Sequence, residues 1–283
     1  MQNRGWRMAA VCGAALLLSV ALASCGGPLK AYRTVRQVRR VQKRIQKVLD
    51  SMDFDLAKAA DALGRMHVEN PEAGLDSAEA RAILTDLYRK HPYVVDVSTV
   101  DAGGVMMAVE PAEYREAEGA DISGQEQVMR LHAQGVPVLS NVFPAVEGFQ
   151  AADLEYPVKG ADGALVGSVS MLFRPGRLMG DIIEPTLKGS AWEGWVMQPD
   201  GRILYDRDPL EIGRDLFGDP LYRVFRDLLD VAKEIADEQS GTATYRFLGP
   251  GGAAPSAGKK ECHWETVGIH GTEWRLVLTR DAE

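Results

Sequence analysis

Apolar residues recur at spacings of three and four through Val35, Val38, Val41, Ile45, Val48, Leu49, Met52, Leu56 and Leu63, which is one face of a 3.6-residue repeat. The pattern predicts a long amphipathic helix from about Leu29 to Met66, ended by Asn70, Pro71 and Gly74. Its stripe suits packing on the domain behind it or a coiled-coil dimer, and the shortness of the repeat favours the former. A second helix is predicted over Ser77 to Lys90, with Asp76 or Ser77 as cap. From Tyr93 the pattern changes to short β-branched and apolar runs. Val94 to Val100 and Val105 to Val109 read as a hairpin around Asp101 to Gly104. Short helices follow within Glu113 to Ala133, then strands at Pro137 to Val146, Phe149 to Val158 and Ala164 to Phe173, and a helix from Leu178 to Leu187.

The same order then recurs. Trp192 to Gln198 and Arg202 to Tyr205 form a hairpin around Pro199, Asp200 and Gly201. Ile212, Gly213, Arg214 and Asp215 echo Gly119, Ala120, Asp121 and Ile122, followed by a helix from Leu221 to Glu238 and strands at Gly241 to Phe247, His263 to Val267 and Trp274 to Thr279. Two copies of one helix-and-sheet unit explain this better than one large domain. The Gly/Pro-rich stretch Gly249 to Gly258 reads as a mobile hairpin tip.

The N-terminus carries a different pattern. Arg4 and Arg7 precede the apolar run Met8 to Ala23, and Leu22-Ala23-Ser24-Cys25 closes it. The run is short for a bilayer span, which needs about 20 residues, and its flanks are those of a signal peptide. Leu22 to Cys25 resembles a bacterial lipobox, which implies cleavage after residue 24 and a diacylglycerol on the Cys25 thiol; an uncleaved anchor is the alternative. Either reading puts the remainder outside the cytoplasm. Lys30, Arg33, Arg36, Arg39, Arg40, Lys43, Arg44 and Lys47 then meet no acid before Asp50, which suits anionic lipid or a solvated helix face equally.

The chain has 283 residues and a formal charge of −8, with no clustered basic and aromatic surface for nucleic acid. Of its three cysteines, Cys12 leaves with the signal peptide and Cys25 is acylated. That leaves Cys262 without an internal disulfide partner. No serine-hydrolase elbow, zinc helix, phosphate loop or dinucleotide fingerprint is present, and Cys262, His263 and His270 fit no standard metal spacing. No enzyme activity, metal or cofactor is expected.

Gly119-Ala120-Asp121-Ile122-Ser123, Pro137-Val138-Leu139-Ser140-Asn141, Tyr156-Pro157-Val158 with Asp162-Gly163 and Gly167, and Gln198 to Leu204 running to Ile212-Gly213 together resemble the double Cache sensory module, a tandem of PAS-like domains. The resemblance implies an α+β fold: a long N-terminal helix (25–74), then two PAS-like units, each an antiparallel sheet of mixed topology with flanking helices, at 75–189 (membrane-distal) and 190–283 (membrane-proximal). It implies a small-metabolite ligand (an amino acid, amine or carboxylate) in the distal unit. In this sequence no transmembrane or output domain follows, so occupancy would pass to a separate membrane sensor or receptor. By position the ligand contacts are Gln127, Arg130, Asn141, Phe143 and Tyr156, with Arg130 as the cation for a carboxylate. Each also has an ordinary structural role open to it. Trp192, Trp195, Trp264 and Trp274 read as core, and Asp206 and Asp208 as a loop without chemistry. The remaining classes are a structural or assembly lipoprotein and an unrecognised hydrolase.

Overall fold

The computed structural model describes residues 26–247 and 258–282, with side chains over 36–246 and 258–282. Cys25 and the proposed hairpin tip, apart from Gly258, lie outside these residues.

Helix α1 (Gly26–Glu69) is 44 residues long, about 66 Å at 1.5 Å per residue. Its stripe of Val38, Val41, Ile45, Leu49, Met52, Leu56 and Leu63 is buried, each side chain worth about 1.5–3 kcal/mol. The stripe is used up on the chain itself, against helices and both sheets. Helix α2 (Ala78–Lys90) starts at Ser77, whose side chain accepts the Ala80 N–H.

The first sheet holds β1 (Val94–Asp101), β2 (Met106–Glu110), β3 (Val138–Leu139), β5 (Gln150–Lys159) and β6 (Leu165–Phe173) in the order β2-β1-β6-β5-β3, with β4 (Phe143–Pro144) on β5. Helix α3 (Glu126–Gln134) covers its outer face and α4 (Pro175–Leu187) leads out of it. The second holds β7 (Glu193–Met197), β8 (Ile203–Tyr205), β9 (Ser240–Phe247), β10 (Gly258–Ile269) and β11 (Thr272–Asp281), ordered β8-β7-β11-β10-β9, with α5 (Arg226–Asp237) packed on it. With β4 set aside, both units have the same strand order, and every pairing is antiparallel.

The repeat extends to individual hydrogen bonds. The hairpin glycines Gly104 (φ 88°) and Gly201 (φ 97°) take the left-handed conformation that suits glycine. Their carbonyls accept from Ile122 N–H at 2.8 Å and Leu216 N–H at 2.9 Å. Single bridges Val105 to Asp121 and Arg202 to Asp215 complete the match, so Gly119 corresponds to Gly213 and Ile122 to Leu216.

Two predicted elements differ. The strand expected over Pro137 to Val146 is broken, because Val142 N–H leaves the ladder to donate to Gln198 Oε1 of the second unit at 2.7 Å. The helix expected from Leu221 is a 3-10 turn, Pro220–Val224, separated from α5 by Phe225 at φ −103°, ψ 63°.

Candidate functional site: a buried acidic cavity

Strands have a two-residue period, so each strand of the first sheet shows alternate side chains to α1 and to the outer face. On the α1 side lie Val97, Ala152, Leu154, Val158, Met171 and Phe173. On the outer face lie Asp96 and Ser98 from β1, Asp153 and Glu155 from β5, and Ser168 and Ser170 from β6. That face is roofed by α3 and by the β4 segment. Beneath the roof is a cavity of about 20 Å³ lined by Asp96, Ser98, Gln125, Phe143, Glu147 and Asp153, among others, enough for about one water.

The electrostatics of this face are one-sided. Asp96, Asp153 and Glu155 are buried at 1%, 5% and 0% exposure. Asp96 Oδ2, Asp153 Oδ1 and Glu155 Oε2 have no hydrogen-bond partner among the described residues, and none of these carboxyls, nor Glu147, is in an ion pair there. Burial holds Asp96 well above the usual carboxylate range, with Glu147 adding to it. Burial does the same to Asp153, reinforced by Glu155, Asp96 and Glu147 and opposed by Ser170. Glu155 is pushed up to about 7 by burial, against the Ser168 hydroxyl that donates to it at 2.5 Å, and Glu147 is raised by burial. Desolvated carboxyls without counter-charge are costly when ionised. A cation brought among them would relieve that cost.

The residues picked from sequence fall in different places. Phe143 lines the cavity. Gln127 is buried beside it and donates to Gln125 Oε1 at 2.7 Å, so the lining amide is Gln125. Arg130 pairs with Glu126 one helical turn back at 3.2 Å and is absent from the lining. Asn141 is exposed. Tyr156 is on the opposite face: the parity of β5 that puts Asp153 in the cavity puts Tyr156 against α1, where its hydroxyl donates to Asp53 Oδ1 at 2.7 Å. The cavity thus holds no arginine for a carboxylate. The acids were missed by sequence reasoning, although a signal existed: Asp96 sits between Val95 and Val97, and Asp153 between Ala152 and Leu154.

Among the described residues no three His, Cys, Asp or Glu side chains gather as metal ligands, and no helix is long and apolar enough to cross a membrane. Cys262 is buried, and burial pushes its thiol up to about 12.

Residues 47–175, from within α1 to the start of α4, match the HK/GC/chemotaxis protein-like sensor domain family. An extracellular ligand binding receptor from Desulfohalobium retbaense is 34% identical with a TM-score of 0.72, over 86% of this chain and 39% of that one. The chain therefore spans well under half of that receptor. The ligand-binding domain of the Pseudomonas aeruginosa amino acid chemoreceptor PctB, solved with L-Arg, is 16% identical with a TM-score of 0.62, over 89% of this chain and 95% of that one. That of the Pseudomonas fluorescens chemoreceptor CtaA, solved with L-alanine, is 15% identical with a TM-score of 0.61, over 90% and 98%. No curated protein matches the sequence. The fold is a double Cache-like one, with the sensor family's match lying on α1 and the first sheet.

Proposed function

We propose that this chain is a non-enzymatic extracytoplasmic sensor domain that binds an organic ammonium metabolite in the first unit, is held at a membrane through acylated Cys25, and passes occupancy to a separate membrane receptor. The observation that carries the ligand class is the pair Asp96 and Asp153, buried, facing one cavity and without a counter-ion among the described residues. The match of residues 47–175 to a sensor-domain family supports the sensing role. The lipobox-like Leu22 to Cys25 supports the anchor. With Gln125 as the only amide and no basic residue in the lining, an amine suits the cavity better than a carboxylate, and the Arg130 role expected from sequence gives way to this reading. A ligand larger than water requires the β4 segment carrying Phe143, Val146 and Glu147 to move outward.

A thermal-shift screen of the protein with amines, amino acids, carboxylates and nucleobases tests this. Short aliphatic amines should raise the melting temperature, carboxylates should not, and Asp153→Asn should abolish that shift. The narrowness of the cavity favours a second reading, a structural or assembly lipoprotein with a filled core. That reading wins if no compound shifts the protein and an envelope protein co-purifies with it instead.

A further inference from the structure

The second unit has its own cavity at the position that the repeat makes equivalent. In the first unit the cavity is lined by Asp96 and Ser98 of β1, Met106 of β2 and Ile122. In the second it is lined by Glu193 and Trp195 of β7, Ile203 of β8 and Leu216, and the matching hairpin bonds fix that correspondence. The volume differs greatly: about 460 Å³ against about 20 Å³. The larger figure lies in the range of sites that hold a small molecule.

Its walls are aromatic and aliphatic. Trp195, Tyr222, Tyr245, Ile203, Leu216 and Leu228 line it. The polar rim has a clear bias. Of its charged groups, Arg207 and Lys260 are already engaged: Arg207 with Glu193 at 2.9 Å, and Lys260 with Glu193 at 4.0 Å and Asp281 at 3.6 Å. Glu211 accepts the Tyr222 hydroxyl, and Asp208 accepts the Leu210 N–H at 3.0 Å. Asp206 has only the Asp208 N–H, at 2.8 Å on Oδ1, and no ion pair among the described residues. Burial holds its carboxyl up at about 6, with Glu211, Asp208 and Glu193 adding to it and the Asp208 N–H opposing. An uncompensated carboxyl beside electron-rich rings is the arrangement that binds an ammonium joined to an apolar body, by charge-assisted hydrogen bonding and cation–π attraction.

We infer that the second unit carries a ligand site distinct from the first, in which Asp206 holds the ammonium group of an aromatic or apolar amine whose body lies between Trp195, Tyr222 and Tyr245. This site stands independently of the first unit's occupancy, and no residue is shared between the two linings.

Titration calorimetry of the full chain with tryptamine tests it, with indole-3-acetate as the anionic counterpart of the same ring. Wild type and Asp153→Asn should both bind tryptamine, Asp206→Asn should bind at least about tenfold more weakly, and indole-3-acetate should not bind. Equal tryptamine affinity in Asp206→Asn, or equal binding of indole-3-acetate, would overturn the proposal. Loss in Asp153→Asn alone would assign the amine to the first unit and overturn it equally. Crystals soaked in 5-bromotryptamine give a readout that needs no variant: a bromine anomalous peak beside Trp195 supports the site, and its absence there refutes it.

Discussion

His270 Nε2 lies 2.5 Å from Oδ1 of Asp53, and the same oxygen accepts the Tyr156 hydroxyl at 2.7 Å. Asp53 belongs to α1, Tyr156 to β5 of the first unit and His270 to the β10–β11 turn of the second, where it holds a left-handed φ of 52°. The Tyr156 and His270 rings meet edge to face at 5.6 Å. One carboxylate therefore joins the long helix to both sheets. Gln46, about two helix turns earlier, adds a two-way bond with the Gly268 backbone, at 3.1 and 3.2 Å.

Because the Tyr156 hydroxyl donates to the Asp53 carboxylate, their contributions should be coupled. Tyr156→Phe and Asp53→Asn are each expected to cost about 1 kcal/mol, and the double variant distinctly less than their sum. Urea denaturation of the four proteins checks this. Full additivity would mean that the hydroxyl and the carboxylate act separately.

The acidic face of the first unit should make the ligand-free protein less stable as pH rises. The Glu155 carboxyl ionises near its ordinary 4.5 in the unfolded chain and at about 7 in the fold. Between these values the native state keeps a proton that the unfolded state has lost, so stability falls with rising pH across that window and levels off above it. Asp96 and Asp153 are shifted in the same direction. Each tenfold difference in proton affinity is worth about 1.4 kcal/mol. His91 and His263, held below their ordinary range by burial, oppose this over part of the same window, so the acids' share of the loss from pH 5 to pH 8 is read against a variant. Glu155→Gln, which keeps an oxygen for the Ser168 hydroxyl, should flatten the slope.

Much of this architecture is legible in sequence because it rests on local periodicity. The three-and-four spacing of α1 marks the buried stripe, and the Asp-x-x-Gly and Pro-Asp-Gly turns mark the two hairpins. The site is less legible for a specific reason. Asp153 and Glu155 alternate with Ala152, Leu154 and Tyr156, which is the pattern of a strand with one wet face. The wet face is in fact covered by α3 and β4, which come from elsewhere in the chain. The same parity sends Tyr156 to α1, and nothing within β5 says which of its faces meets α1. Trp192, Trp195, Trp264 and Trp274 read as core and all four are buried, and Trp195 also forms a wall of the second unit's cavity.

The two hairpin glycines offer a matched test of the repeat. A Cβ on Gly104 would come within 2.5 Å of Ser123 Cβ and 2.6 Å of its Cα, and one on Gly201 within 2.4 Å of the Phe217 ring. Both also force alanine into a left-handed conformation, at about 1–2 kcal/mol. Gly104→Ala meets backbone, whereas Gly201→Ala meets a ring that can turn aside. The first should therefore lose more stability than the second, read as the shift in melting temperature.

Anchoring is tested at Cys25. One acyl chain gives only marginal membrane binding, whereas two or three hold a protein stably, at about 0.8 kcal/mol per buried CH₂. Among the described side chains of α1, which start at Arg36, the buried stripe is already in place at Val38. Cys25→Ser is expected to move the protein from the membrane pellet to the soluble fraction with an unchanged melting temperature. Retention of the variant in the pellet would instead favour the short apolar run Met8 to Ala23 as an uncleaved anchor, and release accompanied by unfolding would mean that the N-terminus stabilises the fold.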